Sequence, residues 1–299
     1  QITQNHLVLI AHIGLDGTEA QKRDLFGLAL QGYRFGNAFS ELNSRNVASF
    51  ETRLADRGDA VEVNGQKFYT TGALLSHIVP IVAVDDAGKG YLVFADRDAP
   101  GLTVTNDWSS FGQRTTASGS VKIEGVRVPK NRVIPIAAFD TPTAAGPISQ
   151  IIQAAIDAGI AKGTLDDTIA FVRTKSRPWI DSGKDTAAED PFTIAAIGKL
   201  EIHLHAAEAL LERAGRLIDV ALANPGDATV AAATVATAEA KVLTTEISIE
   251  AANRLFELAG TRSTLAEHNL DRHWRNARTH TLHDPVRWKY AILGNYYLN

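Results

Sequence analysis

Four of the nine histidines in this 299-residue chain lie within sixteen residues near its end, and they are His268, His273, His280 and His283. His280 and His283 are three residues apart, which places both rings on the same face of a helix. Such a pair could bind a metal, handle protons or pack as ordinary core residues. We predict no metal, because neither an HExxH pattern nor a carboxylate at ligand spacing accompanies the pair. His268 and His273 are expected to be structural or surface residues.

Composition and charge exclude several classes of function. Hydrophobic residues make up 45% of the chain and charged residues 21%, which are ordinary values for a globular protein with a sizeable core. A net charge of −4 gives no electrostatic footprint for nucleic acid. No apolar run approaches the roughly 18 residues that a membrane span needs. Because the chain has no cysteine and no secretion signal, we expect a cytoplasmic location, without disulfides or a thiolate nucleophile.

The first half of the chain changes from helical to β texture. Residues 1 to 32 predict helices, with a capping-type start at "DGTEAQ". Residues 33 to about 138 contain short runs rich in valine, isoleucine, tyrosine, phenylalanine and threonine, separated by glycine-containing turns, which is typical of antiparallel strands. Within them, Asn64-Gly65 predicts a β-hairpin with a type I′ turn, because both residues tolerate positive φ angles.

The second half predicts a bundle of helices from about residue 145. One long helix should begin near "EDPFTI", with Pro191 in its first turn, and end at "NPGDA". Its core face repeats at three-then-four spacing through Leu204, Ala207, Leu211, Ala214 and Ile218. A second long helix follows and should end at "AGTRST", with Thr245 as its one polar core residue. Its many alanines permit close helix packing.

Three sequence blocks resemble those of the acyl-CoA dehydrogenase superfamily. They are "GNAFSELNS" (36–44), "VNGQKFYTTGA" (63–73) and "FGQRTTASGSVKIEGVRVPKNRVI" (111–134). The resemblance implies an α+β fold in three regions: the tail of an N-terminal helical domain (1–32), a central antiparallel β-domain (33–140) and a C-terminal four-helix bundle (141–299). Most of the N-terminal domain is expected to be missing from this sequence.

Within that superfamily, three further segments resemble the flavin-dependent monooxygenases of sulfur scavenging, which oxidise dibenzothiophene or serve dimethyl-sulfone utilisation. They are "RTKSRPW" (173–179), "EDPFTI" (189–194) and "DRHWRNARTHTLHDPV" (271–286). This resemblance implies reduced FMN supplied by a separate flavin reductase, with FAD possible. The flavin would lie between the β-domain and the bundle and react with O2 through a C4a-hydroperoxide. The substrate would be a small organosulfur or other apolar compound.

The last of these segments distinguishes oxygenation from thioester oxidation. The dehydrogenases carry an aromatic-Glu-Gly-Thr segment here, whose glutamate removes the α-proton of the thioester, whereas this chain reads His283-Asp284-Pro285-Val286. A monooxygenase instead needs a group that hydrogen-bonds or protonates the oxygenated flavin, and an imidazole can do so at neutral pH. Catalytic roles are therefore predicted for His283, His280 and Thr71. For His280, ordinary packing remains the alternative.

The resemblance also implies contacts to the flavin and substrate. The predicted cofactor-binding residues are Asn37, Phe39, Ser40, Tyr69, Thr70, Thr71, Ser118, Arg177 and Arg262. Trp108 and Leu282 are predicted to line the substrate pocket. Arginine suits a flavin phosphate because its guanidinium is a permanently charged, fork-shaped donor. In the family, the two arginines reach the cofactor from a neighbouring subunit, which implies a homo-oligomer built as a dimer of dimers.

Two other functions remain open on the sequence. One is an acyl-CoA dehydrogenase with tightly bound FAD and Asp284 as the base, although aspartate is one methylene shorter than glutamate and Pro285 replaces a flexible glycine. The other is a non-catalytic relative with a structural role. Flavin binding separates the second from both enzymes, and the substrate class separates the two enzymes.

Overall fold

The structure, a computed structural model, describes residues 2–42, 44–45, 49–137 and 141–299. The chain divides into two compact units, one formed by residues 1–110 and 114–145 and the other by residues 111–113 and 146–299. Within the described ranges, every helix is too short or too polar to cross a bilayer.

The first unit contains two helices and a seven-stranded sheet among the described residues. The helices are α1 (Ile2–Asp16) and α2 (Glu19–Leu30), and the strands are β1 (Arg53–Asp56), β2 (Ala60–Lys67), β3 (Ile78–Val84), β4 (Gly90–Asp96), β5 (Leu102–Thr105), β6 (Ser120–Pro129) and β7 (Val133–Pro135). The strand order is β5-β6-β2-β1-β3-β4-β7. All pairs are antiparallel, as predicted, except the short parallel contact of β1 with β3.

The two helices bury their apolar faces against the sheet. Leu9 and Ile13 of α1 and Leu25 of α2 share one cluster with strand residues that include Ile78 and Phe94. Every residue of β3 is buried, so its alternate side chains serve two clusters, one on each face. The predicted start of α2 is confirmed, because Thr18 and Gln21 form a reciprocal capping box.

The predicted hairpin turn at Asn64-Gly65 is wrong. Both residues lie inside β2, which pairs with β6 on either side of a register shift between Val63 and Gly65. The Asn64 Oδ1 atom accepts a hydrogen bond from the Gly125 amide at 2.7 Å, and a Cβ atom on Gly65 would collide with Thr52. The sequence signal therefore marks a β-bulge and a close backbone approach, which need the same residue types as a tight turn.

The second unit contains five helices among its described residues: α3 (Ala145–Thr174), α4 (Pro191–Ala223), α5 (Asp227–Ala259), α6 (Asp271–His280) and α7 (Arg287–Leu298). The predicted boundaries of the two long helices are confirmed, since the Asp190 carboxylate caps α4 and Pro191 is its first residue. In the predicted core face of α4, Leu204, Ala207 and Ala214 are buried.

Helix α5 carries more buried polar residues than the sequence suggested. Thr245 is buried as predicted, but it is not the one polar core residue. Four others on the same helix are also buried: Thr237, Lys241, Thr244 and Ser248. The threonine and serine hydroxyls donate to carbonyls of the preceding helical turn, which satisfies them locally. Lys241 is instead paired with a residue of another helix, Asp157 of α3.

Candidate active site

In the first unit, the first two sequence blocks lie side by side. The Phe68 amide donates to the Ser40 carbonyl at 2.9 Å, and the Asn37 Nδ2 atom lies 3.5 Å from the Tyr69 carbonyl oxygen. Phe39, which lies between Asn37 and Ser40 in the sequence, is half-buried. The Asn37 Oδ1 atom is buried and has no hydrogen-bond partner within the described part of the chain. An unsatisfied buried acceptor is the kind of atom that a ligand completes.

The second block meets the third through threonine and serine hydroxyls. Thr70 is fully buried, and its Oγ1 atom donates to the Gly119 carbonyl at 2.8 Å. Its hydroxyl proton is thus already used within the protein. The Thr71 and Ser118 hydroxyl oxygens lie 2.7 Å apart, while the Thr71 carbonyl accepts from Asn5 Nδ2 of α1 at 2.8 Å. Ser118 Oγ also lies 2.6 Å from Thr116 Oγ1, so the Thr71–Ser118 hydroxyl pair continues to a third hydroxyl, and Asn5 holds the Thr71 backbone.

An aromatic cluster adjoins these hydroxyls in sequence. Tyr69 has a positive φ of 56°, a conformation that costs a non-glycine residue on the order of 1–3 kcal/mol and that clusters at functional sites. Its ring packs edge-on against Trp108 at 6.0 Å, and the Phe68 ring lies 4.8 Å from Tyr69. Tyr69 is 49% exposed and Phe68 and Trp108 are half-buried, so the three rings form an apolar wall that solvent reaches. The predicted pocket residue Trp108 belongs to this wall.

In the second unit, His280 lies in a buried polar network. Its Nδ1 atom is 2.5 Å from Oδ1 of Asp157 on α3. The other carboxylate oxygen, Oδ2, accepts from Lys241 Nζ at 2.7 Å and from Thr245 Oγ1 at 3.1 Å, both on α5. The side chains of Asp157, Lys241 and His280 are all fully buried. Burial raises the pKa of Asp157, but the His280 hydrogen bond and the Lys241 charge outweigh it and hold that pKa below its usual range.

His283 lies one turn beyond His280 and adjoins the same network. Its amide donates to the His280 carbonyl at 3.0 Å, and its Nε2 atom is 3.5 Å from Nε2 of Gln153 on α3. The residue as a whole is exposed to solvent, although its ring adjoins buried groups. Desolvation of its ring is the largest cause that lowers the pKa of His283 to about 4; the charge of Lys241, and a second proton on His280 where one is present, act in the same direction. The ring is therefore neutral at pH 7.

The residues flanking His283 face different surroundings. The Asp284 carboxylate is engaged by Lys289 Nζ at 2.6 Å, so the alternative base is already paired with a cation. Leu282 is 63% exposed, and it does not line the cleft that holds Arg177 and Arg262. Its predicted role as a pocket residue stays a prediction. The structure thus places His283, and not its neighbours, against the polar network.

The two predicted arginines share one cleft of about 1240 Å³ in the second unit. Arg177 and Arg262 both line it and both are exposed. Lys175 and Lys199 add positive charge to the walls, and Trp179 adds an exposed aromatic face. Arg254, which is paired with Glu257, and Asp190 also line the cleft, so positive charge remains in excess there and suits an anion such as a phosphate. No group of three or more potential metal ligands occurs among the residues that the structure describes.

Asp157, Lys241 and Gln153 were missed by the sequence reasoning. Asp157 stands in the apolar run "QAAIDAGIAKG", at three- and four-residue spacing from the buried Ala154 and Ala161. The available signal was a single acid in the apolar stripe of one helix and a single lysine in the apolar stripe of another helix. Sequence alone could not pair them, since they are 84 residues apart.

Comparisons with known proteins identify the family of this chain. A sequence model of the family "Acyl-CoA dehydrogenase, C-terminal domain" matches residues 151–288. The dibenzothiophene monooxygenase of Mycolicibacterium goodii is 34% identical, over 98% of this chain and 75% of that protein. The probable FMNH2-dependent monooxygenase SfnC of Pseudomonas putida is also 34% identical, with the same two coverages.

Among solved structures, the complex of TdsC from Paenibacillus sp. A11-2 with FMN and indole superposes with a TM-score of 0.95 at 30% identity. The match covers 100% of this chain and 78% of that chain. These similarities extend over nearly the whole sequence and confirm the resemblance that the sequence blocks indicated. The chain belongs to the acyl-CoA dehydrogenase superfamily and, within it, to the group that contains the dibenzothiophene monooxygenases.

Proposed function

We propose that this protein is an FMNH2-dependent monooxygenase that acts on a small organosulfur or other apolar compound. One oxygen atom of O2 enters the substrate, and the other leaves as water with the two electrons and two protons of the reduced flavin. A separate flavin reductase supplies that flavin. Relatives that carry the names dibenzothiophene monooxygenase and FMNH2-dependent monooxygenase support both the reaction class and the choice of FMN over FAD.

The observation that carries this proposal is the imidazole of His283, which stands where the dehydrogenases have the aromatic residue before their catalytic glutamate, while the glutamate position holds Asp284, paired with Lys289. With its pKa lowered to about 4, the ring carries one N–H donor and one lone pair at pH 7. It can hold an oxygen-bearing group by hydrogen bonds, but it has no surplus proton to give. Its role is therefore to stabilise the oxygenated reactant through hydrogen bonding, with protons arriving from elsewhere.

The described residues fit a flavin mononucleotide. Arg177 and Arg262 in their common cleft offer charged donors to a phosphate. The Thr71–Ser118 hydroxyl pair and the unsatisfied Asn37 Oδ1 atom offer hydrogen bonds to a polar ring edge. When bound, reduced FMN would supply the electrons that activate O2. The protein would supply the orientation and the fixed hydrogen-bond donors.

The apolar wall formed by Tyr69, Phe68 and Trp108 supports a flat, apolar substrate. The proteins named for dibenzothiophene oxidation and the indole-bound TdsC suggest an aromatic heterocycle of that size. Since the family places the two arginines against the cofactor of a neighbouring subunit, we propose a homotetramer, a dimer of dimers, as the active form.

The test is an oxygen-consumption assay with a flavin reductase, NADH, FMN and a panel of sulfides, sulfones and indole. We expect one compound of the panel to gain an atom of ¹⁸O from labelled O2, detected by mass spectrometry. Replacing His283 with alanine should abolish the product while the affinity for FMN stays within about threefold, because the ring acts after flavin binding. Unchanged product formation would refute the assigned role of His283.

Two other outcomes would replace the proposal. Anaerobic reduction of a bound flavin by an acyl-CoA thioester would establish a dehydrogenase with Asp284 as base. That outcome is disfavoured by the ion pair between Asp284 and Lys289. Absence of binding to oxidised and reduced FMN and FAD, followed by flavin fluorescence, would leave a non-catalytic protein.

A further inference from the structure

We infer that Asp157, together with Lys241, is a positioning residue that holds the His280 ring with its proton on Nδ1. The Nε2 atom is then left to accept a hydrogen bond from an N–H or O–H group of the bound reactants. The identity of those reactants rests on the proposed function, whereas the protonation pattern of the ring does not.

The geometry around Asp157 decides which nitrogen of His280 carries the proton. An ionised carboxylate is only an acceptor, and Lys241 and Thr245 already donate to its Oδ2 atom. The Oδ1 atom, 2.5 Å from His280 Nδ1, must therefore receive a proton-bearing nitrogen. The Lys241 ammonium already balances the Asp157 charge in this fully buried site, so we infer the neutral ring, which has its proton on Nδ1 and a lone pair on Nε2.

The Nε2 atom of His280 makes no hydrogen bond with the described residues. It is buried, on a side chain with 0% exposure, and finds no hydrogen-bond partner anywhere in the described ranges. Gln150 and Gln153 lie on the same face of α3 as Asp157, and each also has a buried side-chain atom without a partner among the described residues. Buried polar atoms in proteins are normally satisfied. We call Gln150, Gln153 and His280 the polar strip. Its unsatisfied atoms are therefore suited to hydrogen-bond to a ligand.

Stability does not explain why the bundle keeps this network. Removing a carboxylate and an ammonium from water costs several kcal/mol each, and apolar residues of similar volume often stabilise a core at least as well. The neighbouring positions on α3, Ala154 and Ala161, are ordinary buried alanines. What the ion pair adds is a fixed orientation and a fixed protonation pattern for His280, as a carboxylate does for the histidine of a hydrolytic triad.

The same network acts on His283 in two ways. The His280 carbonyl accepts the His283 amide at 3.0 Å, so the position of one histidine sets the turn that carries the other. Positive charge on Lys241 also disfavours protonation of His283, which helps to keep that ring neutral. Asp157 thus positions His280 directly and His283 through the backbone.

The test begins with ¹⁵N spectra of the histidine rings in the full chain, with the His280 signals assigned by comparison with His280→Gln. We expect a protonated Nδ1 and an unprotonated Nε2 in the wild type. The Nε2 signal should shift when a donor is added, and four probes identify its source: oxidised FMN, dithionite-reduced FMN, indole and dibenzothiophene. A shift with reduced but not oxidised FMN assigns the donor to the flavin. A shift with indole but not dibenzothiophene assigns it to the substrate.

The variant that separates positioning from stability is Asp157→Leu combined with Lys241→Met, which removes both charges and keeps the volume. We expect it to fold with wild-type thermal stability and to lose the Nδ1-protonated form. We also expect it to lower kcat/KM at least tenfold, in line with the typical contribution of a positioned proton-handling group. The share of O2 released as H2O2 should rise in parallel.

The matched control is Asp167→Leu, which breaks the other Asp–His pair between the same two helices and should leave all these readouts unchanged. An Nε2-protonated ring in the wild type, or no shift with any probe, would overturn the inference. So would wild-type coupling of oxygen to product in the double variant. Should the wild type bind flavin and show the expected ring but oxygenate nothing, the proposed reaction fails while the positioning role stands.

Discussion

Two Asp–His pairs join α3 to α6, and they differ in every respect that matters for chemistry. Asp157 and His280 are fully buried and use Nδ1 of the ring. Asp167 and His273 use Nε2, at 2.7 Å, and 38% of the Asp167 side chain is exposed. The same two residue types on the same two helices thus form a buried network at one end of the helix pair and a surface contact at the other.

The cations beside the two carboxylates explain the difference in energy. Arg272 contacts Asp167 with 39% of its side chain in solvent, so water screens that pair and its net contribution is small. Lys241 beside Asp157 has no exposed surface, so each charge there depends on the other. The same two residue types therefore form a dispensable contact in one place and an obligatory one in the other, because the local dielectric environment differs.

The largest expected effect is on stability at the buried pair. Asp157→Ala leaves Lys241 charged and unpaired in the core, so we expect it to lower the free energy of unfolding by about 3–5 kcal/mol. Urea denaturation followed by circular dichroism measures this loss. A decrease below about 1 kcal/mol would show that water reaches the pair, and the distinction between the two pairs would disappear.

A smaller effect concerns how the stability depends on pH through two histidines. His283 follows the buried pair, and His273 belongs to the surface pair. The pKa of His283 falls from 6.5 to about 4 on folding, so between these values the unfolded chain binds a proton that the folded chain does not. Above pH 6.5 the ring is neutral in both states and has no effect on stability, whereas below pH 6.5 it destabilises the folded chain by an amount that grows as the pH falls toward 4. His283→Gln should flatten this loss, measured as urea midpoints at about pH 7 and pH 4.5.

His273 sharpens the same measurement, since its pKa is also lowered by burial but is partly restored by the hydrogen bond to Asp167. His273→Gln should therefore flatten the acid-induced loss of stability less than His283→Gln does. If the two variants reduced the acid-induced loss of stability equally, contact with the polar strip would not distinguish His283 from His273.

The smallest expected effect is at the surface pair. Asp167→Ala removes a carboxylate whose partners remain solvated, and we expect a loss of at most about 1 kcal/mol in the free energy of unfolding. The measurement is the same denaturation series, run alongside Asp157→Ala. A loss comparable to that of Asp157→Ala would contradict the view that solvent exposure separates the two pairs.

Much of the fold was predictable because its signals are local. The start of α4 follows from Asp190 and Pro191, whose side chains act within a single turn of helix. The Asn64-Gly65 prediction failed for the opposite reason. Those two residues permit either a turn or a bulge, and the pairing of β2 with β6 and the packing against Thr52 select the bulge.

The residues of the candidate site also divide into those with a local sequence signal and those that depend on tertiary contacts. His280, His283, Arg177 and Arg262 were predicted from sequence segments that resemble a family, and the structure places each pair of them in one local cluster. Asp157 could not be predicted, because a single acid in an apolar helix has no visible partner until distant segments of the chain meet. The catalytic and cofactor-binding roles of these residues stay predictions.

By itself, the sequence determined the family, the order of β and helical regions and the presence of His283-Asp284-Pro285 where the dehydrogenases have an aromatic residue, glutamate and glycine, since each is carried by contiguous residue types. Only the tertiary structure decided which acid meets which histidine and which of those pairs is shielded from water. Burial is a property of the packed chain, and an ionisable group acquires its protonation state from the atoms packed around it.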